Sequence, residues 1–432
     1  MTERNLADWL SYLEQLHPTA IDMGLDRVRQ VAARLGLQRP AATVITVTGT
    51  NGKGSTCAFL AELLSAHGQR VGVYSSPHLL RYNERVLIDR QMVSDESLCA
   101  AFWAVETARE EITLTYFEVG TLAAFWLFQQ ANLDAVVLEV GLGGRLDAVN
   151  LLDADLALVT SIGLDHAEWL GNTRESVAFE KAGIFRAGKP VLCGDPDPPA
   201  VLAEQAAGLQ APFYQRGKDF DLGLNAGSWD WRGVDRAGRG CELHNLPLLD
   251  LPMENAALAL QAFALLDLHW QPEMIAYALR NTSLSGRLER CPVTFRGKNL
   301  MLLLDVGHNP HAAGYLARRF AELPIAGRRL AVFGLLADKD LAGIVAAIGP
   351  AIDHWAVAPL PSSRSRTGAE LYAALFSSGA RVSQYHSIAL ALEAQCELAA
   401  VGDEILVFGS FYCVAEALAW LAQRGSENGS TG

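Results

Sequence analysis

The chain reads as an α/β protein built from doubly wound, mostly parallel sheets in two domains. Three observations predict this. Apolar, β-rich runs recur between helical patterns at 43–48, 71–74, 135–140, 156–160 and 190–193, and again at 301–305, 330–334, 354–358 and 405–408. Strands alternating with helices in this way form parallel sheets. A glycine-rich turn, Gly49-Thr50-Asn51-Gly52-Lys53-Gly54-Ser55, joins the first run to a helical stretch over 55–67. Helical patterning then stops at Asn281-Thr282-Ser283-Leu284-Ser285-Gly286-Arg287, and a second α/β series begins beyond it. A length of 432 residues suits two domains, 1–285 and 286–432, with Arg287 at the hinge.

Strand, glycine-rich turn and helix together make a cradle for nucleotide phosphates. Glycines let backbone N–H groups approach the oxygens, and the helix N-terminus adds positive partial charge. In such a loop Lys53 contacts the β- and γ-phosphates and Ser55 or Thr56 reaches a magnesium ion. The spacing departs from GxxxxGK[ST], because Val47 stands where the first glycine falls and Gly54 follows the lysine.

Past the strand at 71–74 comes Ser75-Ser76-Pro77-His78-Leu79-Leu80-Arg81-Tyr82-Asn83-Glu84-Arg85. It lies beyond a strand's carboxyl end, where α/β sheets place ligands. A hydroxyl there can ligate magnesium, and Arg81 and Arg85 either orient anions or form a solvated face. Glu139 closes the apolar strand at 135–140, a costly place for a carboxylate unless it is paired or metal-bound. Gly141, Gly143 and Gly144 follow, fitting either close approach to a ligand or a tight turn. His166 follows the strand at 156–160; a lone histidine is commonly structural, but three possible magnesium ligands after three strands favour a metal site. Lys181 sits in the apolar segment Phe179-Glu180-Lys181-Ala182-Gly183-Ile184-Phe185. Desolvation there would lower its pKa and prepare it for modification, whereas an ion pair would leave it inert, and the residues alone leave both open.

Between about 210 and 250 the pattern loosens into short polar and aromatic pieces, which predict a small antiparallel addition or an extended loop. Helices resume at 253–266 and 272–280. The last seven residues, Ser426 to Gly432, carry no apolar side chain and are expected to be disordered.

Composition narrows the function classes. Hydrophobic residues at 50% and charged ones at 19% describe an ordinary globular chain. A net charge of −13 argues against binding a nucleic-acid backbone. Seven scattered cysteines without CxxC spacing predict reduced thiols in a cytoplasm rather than disulfides or a zinc site. The segment Met1-Thr2-Glu3-Arg4-Asn5-Leu6-Ala7-Asp8 lacks a signal-peptide pattern, and the most apolar run, 119–128, is too short to span a bilayer. No membrane association and no obligate partner are expected, and a monomer is the default.

The linked series 49–55, 75–85, 141–150, 165–170, 180–185 and 305–311 resembles the folylpolyglutamate synthase family of the Mur ligase superfamily, over nearly the whole chain. The resemblance implies an N-terminal P-loop domain of the Mur-ligase central type and a smaller, Rossmann-like C-terminal α/β domain. It implies an ATP- and Mg²⁺-dependent ligase acting on dihydropteroate, reduced folates and L-glutamate, with a monofunctional folylpolyglutamate synthase as the alternative. By the same resemblance Asn51, Gly52, Lys53 and Gly54 bind ATP phosphates and Ser55 binds magnesium. Ser76, Glu139 and His166 hold a second magnesium, and a carboxylated Lys181 helps organise it; Lys53, His166 and Lys181 are the implied catalytic groups. Ile21, Asp22 and Met23, Thr115, Tyr116, Phe117 and Glu118, and Leu146, Asp147 and Ala148 match pterin-binding segments. Asn255, Arg287 and Asp305 match ATP contacts, and His308 and Ser410 match glutamate contacts. The first domain would hold ATP and the pterin and the second the glutamate. Ser285 stands where the family commonly has Pro.

Two rivals fare worse. A ligase of peptidoglycan precursors needs a UDP-sugar domain ahead of the loop, and about forty residues are too few for one. A GTPase switch reads guanine through Asn-Lys-x-Asp, for which this chain offers only Ala337-Asp338-Lys339-Asp340.

Overall fold

The computed structural model describes residues 4–266 and 268–429. They form two compact units, Met1–Ser283 and Leu284–Gly432.

The first unit is organised by an eight-stranded sheet. Its strands are β1 (Ala41–Thr48), β2 (Val71–Tyr74), β3 (Val86–Ile88), β4 (Gln91–Met92), β5 (Leu133–Glu139), β6 (Leu156–Val159), β7 (Val191–Cys193) and β8 (Phe213–Gln215). Their order is β4-β3-β2-β5-β1-β6-β7-β8. All neighbours run parallel except the β2–β3 and β3–β4 pairs at one edge. The central strands read as continuous apolar runs because helices cover both faces, so Val44, Ile45, Val47, Val136, Val137 and Leu138 are all buried. Local chemistry starts the covering helices where the site needs them. Thr115 caps the helix Tyr116–Gln130 in a capping box with Glu118, and Ser94 caps the helix Asp95–Arg109.

Of the two readings for 210–250, the antiparallel one is realised. Phe213–Gln215 extends the main sheet, while β9 (Asp221–Asn225), β10 (Ser228–Val234) and β11 (Gly240–Pro247) form a separate antiparallel sheet. Trp229 and Trp231 are its largest buried side chains, with Leu243 and Leu246 also buried, and the indole N–H groups donate to the Pro247 and Ala257 carbonyls at 2.7 and 3.1 Å. Two tryptophans spaced by two residues share one face of a strand, which turns a polar segment into a packed layer against the helix Met253–Ala264.

The second unit has β12 (Glu289–Phe295), β13 (Lys298–Asp305), β14 (Arg329–Phe333), β15 (His354–Val357), β16 (Val382–Gln384) and β17 (Glu404–Phe408) in the order β12-β13-β17-β14-β15-β16. Only the β12–β13 hairpin is antiparallel. Helices alternate with the parallel strands, which is the Rossmann-like arrangement.

The final helix runs Phe411–Gly429, and 430–432, the end of the tail expected to be disordered, lie outside the described residues. Among the described residues no helix is long and apolar enough to cross a membrane.

Candidate active site

The turn after β1 is pinned to the end of β6. Thr50 N donates to Ser161 O at 2.8 Å, Asn51 N to Ser161 Oγ at 3.1 Å, and Thr160 Oγ1 to Asn51 O at 2.6 Å. A Cβ on Gly49 would stand 1.8 Å from Thr160 Oγ1, so only glycine permits this approach. Gly52, at φ 89°, starts the helix Lys53–Ala66 from the left-handed region, and no side chain caps that helix. Its first-turn amides therefore form a ready anion seat. Lys53 Nζ donates to the Gly49 and Thr50 carbonyls at 3.1 and 3.4 Å, which holds the ammonium over the turn. Asn255, from the helix Met253–Ala264, donates to Ser55 Oγ at 2.7 Å, and Gly54 lies between Lys53 and Ser55 in the first helical turn. Loop, lysine and hydroxyl fit a nucleotide's phosphates.

Charged groups gather beside this loop. Glu139, 5% exposed at the end of β5, accepts the Ser76 N–H at 3.2 Å, and a cis peptide joins Ser76 to Pro77. Asp147 is buried and accepts N–H groups from Leu142 and Val149 at 2.8 and 2.9 Å. Burial pushes its carboxyl up to about 6, against the pull of those amides and of the Lys53 charge. Lys181 is only 4% exposed; burial brings its ammonium down to about 7, Lys53 lowers it further, and Asp165 and Asp147 act the other way. Lys53, Asp147, Asp165 and Lys181 thus lie within reach of one another's fields.

His166 stands past the end of β6 with φ 52°, a left-handed backbone region that is uncommon for residues other than glycine and in which His, Asn and Asp are enriched. Its side chain is 42% exposed, and Nε2 lies 3.9 Å from Asp165 Oδ2. Ser76 and Glu139 are in direct contact, whereas His166 follows β6, a strand separated from β5 by β1. Among the described residues no three His, Cys, Asp or Glu side chains form a ready metal cage. A sparse, oxygen-rich set such as Ser55, Ser76 and Glu139 fits magnesium, which keeps waters and takes phosphate oxygens as ligands.

The segments matched to pterin binding meet around two glycines. A Cβ on Gly141 would stand 2.6 Å from the Phe117 ring, and one on Gly143 would stand 3.6 Å from Met23 Cε. Phe117 also packs on Tyr74, with centroids 5.9 Å apart. Thr115 and Glu118 are engaged in the helix cap, Ala148 is buried, Leu146 is half-buried and Ile21 is exposed. Arg27 binds two of these segments, reaching Asp22 Oδ2 at 2.6 Å and Glu118 Oε1 at 2.9 Å. His17 bridges Thr113 Oγ1 and Asp22 Oδ2 at 2.9 and 3.1 Å. Arg27 and His17 escaped the sequence reading; the only signal was their nearness in sequence to Asp22. Tyr116 packs beside Tyr82, with ring centroids 5.6 Å apart.

In the second unit the matched residues lie around the ends of β13 and β17. Asp305, buried and with its carboxyl pushed up by burial, accepts N–H groups from Leu288 and Gly307 at 3.0 and 2.7 Å, and the Arg287 charge opposes that rise. The Arg287 guanidinium lies over the Phe411 ring at 5.5 Å, and the His308 ring is 6.3 Å from the same phenyl. Ser410 is buried and accepts the Tyr412 N–H at 3.2 Å.

Residues 47–197 match the model of the Mur ligase middle domain, and 286–411 match that of the Mur ligase glutamate ligase domain. The dihydrofolate synthase/folylpolyglutamate synthase of Escherichia coli is 46% identical over 421 residues, 98% of this chain and 96% of that protein. The chain belongs to the dihydrofolate synthase/folylpolyglutamate synthase family of Mur ligases. Solved structures agree with that membership. The E. coli FolC structure in complex with DHPP and ADP superposes with a TM-score of 0.91 at 46% identity, covering 98% of each chain. A bifunctional folylpolyglutamate synthase/dihydrofolate synthase with Mn, AMPPNP and L-glutamate bound gives a TM-score of 0.89 at 45% identity, over 97% of this chain and 98% of that one. The family's mixed α/β architecture is thus present across both units.

Proposed function

We propose that this chain joins L-glutamate to 7,8-dihydropteroate, forming dihydrofolate, and extends reduced folates with further glutamates, each time consuming ATP. The observation that carries this reading is the placement of the uncapped Gly52–Lys53 helix start at the same sheet edge as Glu139 and the 141–148 loop. Phosphoryl donor and pterin acid therefore have seats on neighbouring strands.

The chemistry follows from the acceptor. A carboxylate is a poor electrophile until phosphorylation turns it into an acyl phosphate, which the amine of glutamate attacks with expulsion of phosphate. The helix start and Lys53 bind and orient the phosphate chain. Charge on the migrating phosphoryl is met by Lys53 and by magnesium, a Lewis acid that Ser55 on one side and Ser76, Glu139 and His166 on the other are suited to hold. Lys181, in its carboxylated form, adds negative charge next to that cation. Phe117, Met23 and Asp147 line the pterin seat, with Asp22 and Glu118 fixed by Arg27. Asn255, Arg287 and Asp305 are assigned to ATP contacts, and His308 and Ser410 to glutamate.

The finer surroundings belong to the same reading. A net charge of −13 disfavours nucleic acid, and seven free cysteines suit a reducing cytoplasm. We assign a monomer.

Phosphate release from ATP should depend on dihydropteroate plus glutamate, and separately on a reduced folate plus glutamate, with the products resolved by chromatography. Conversion of UDP-sugar peptides without conversion of either pterin would overturn the assignment.

A further inference from the structure

The two arginines of the 75–85 loop have different fates. Arg81 is an exposed side chain paired with Asp95 at 2.9 Å. Arg85 is 9% exposed, and no carboxylate stands within ion-pairing distance of it among the described residues. Its Nε donates to His78 Nδ1 at 2.9 Å, and its guanidinium lies over the rings of Tyr82 and Tyr116 at 5.2 and 5.5 Å. Nη1 and Nη2 donate to no protein acceptor among the described residues.

The carboxylates that could have neutralised it are committed elsewhere. Both Glu84 oxygens accept backbone N–H groups, from Leu79 at 2.6 Å and from Leu80 and Arg81 at 2.8 and 2.7 Å. Asp95 holds Arg81 and Asn83. Glu118 holds Arg27 and the Thr115 N–H. Nη1 and Nη2 have no protein partner among the described residues yet are not sealed from solvent, so a guanidinium held between tyrosine rings without a counter-charge keeps its outer fork open to an anion that arrives from outside the chain.

Position identifies the anion. Tyr116 belongs to the 115–118 segment assigned above to the pterin. The Arg85 carbonyl accepts the Ser75 N–H at 3.0 Å, next to Ser76, whose own N–H is held by Glu139. Arg85 therefore links the pterin-binding segment to the loop assigned to magnesium, the interval that the aryl carboxylate must occupy to be phosphorylated. An arginine fork among tyrosine faces suits a benzoate, whose ring packs on the phenols while its carboxylate takes two parallel N–H bonds.

Resting on the pterin-ligase reading of this site, we infer that Arg85 is a substrate-binding residue that receives the aryl carboxylate of the pteroyl substrate.

The test compares equilibrium binding of pteroate and of its uncharged carboxamide, by calorimetry, to the full-length protein and to Arg85→Gln. Wild type should favour the acid, and the variant should lose about 10- to 100-fold of that preference, the range for a hydrogen bond to a charged group. Amide and ATP affinities should stay unchanged. Equal acid-to-amide ratios in the two proteins overturn the inference and leave the ligase assignment standing. A uniform loss of affinity for acid, amide and ATP marks a structural role and overturns it too. Should Arg85→Gln not fold, Arg85→Lys keeps the charge without the fork, and its ratio should fall several-fold; an unchanged one is equally fatal. Failure of wild type to bind either pteroyl compound sinks the pterin reading itself.

Discussion

Stripping carbon dioxide and bicarbonate from the assay should cost this enzyme activity, through Lys181. Carbamates form on a neutral amine. An ordinary lysine, with a pKa near 10.4, is neutral about once in 2,500 molecules at pH 7. Burial and the nearby Lys53 charge bring Lys181 to about 7, so about half is neutral at that pH. The gain in reactive amine is on the order of 10³-fold, a differential of roughly 5 kcal/mol from a shift of about 3.5 pH units. The sign is that of a depressed amine: the reactive form dominates above pH 7 and is lost as pH falls through 7, whereas an exposed lysine would need pH above 10. Carboxylation also replaces repulsion between two cations, Lys53 and Lys181, with attraction. The assay is phosphate release in degassed buffer with and without added bicarbonate, alongside ¹³C NMR of metal-loaded protein in labelled bicarbonate. Lys181→Ala should lose activity that short carboxylic acids partly restore. Full activity without carbon dioxide, together with no labelled adduct, would refute the argument while sparing the ligase assignment.

Other perturbations report on the neighbouring groups. Lys53→Ala removes the point charge over the phosphate turn and should lower turnover by roughly 10²-fold or more, about 3 kcal/mol, in a protein of unchanged circular dichroism; near-normal turnover would remove the loop from the mechanism. Glu139→Gln should raise the magnesium concentration needed for half-maximal rate and leave the melting temperature nearly unchanged, and an unmoved magnesium titration would count against its ligand role. Gly52→Ala puts a Cβ 2.6 Å from Asn255 Oδ1 at φ 89°, so nucleotide affinity measured by calorimetry should collapse. Asp147 titrates at about 6 in the fold, above the ordinary 3.8, so its contribution to ligand-free stability is full below about pH 4 and lost as pH rises through 6. Asp147→Asn should flatten that part of the stability profile in urea unfolding, a change of roughly 3 kcal/mol, and parallel profiles would show that the carboxyl is not perturbed.

Much of this architecture was legible because its signals are local. Parallel strands buried on both faces must be apolar throughout, so β1, β5 and β17 stand out of the chain without knowledge of their partners. The phosphate turn is equally local, since Gly52 alone sets the backbone that starts the helix. Long-range pairing was harder to read. That Arg27 would join Asp22 to Glu118, residues 96 positions apart in sequence, depends on how the 116–130 helix packs and leaves no periodic trace. Arg81 and Arg85 were indistinguishable by composition, and only the covering rings of Tyr82 and Tyr116 separate a solvated arginine from a buried one.

β2, β5, β1 and β6 lie side by side, and from their ends issue the Ser76 loop, Glu139, the phosphate turn and the His166 loop. Neighbouring strands sit about 4.8 Å apart, so the whole series spans about 14 Å. The sheet therefore works as a ruler whose graduations are backbone hydrogen bonds rather than side chains. The interval between the proposed seats of the phosphoryl donor and of its acceptor is inherited from this ladder. Substitutions in the loops can change which acid is accepted, but they leave that interval untouched; a one-residue slip within β5 would move Glu139 to the opposite face and destroy it.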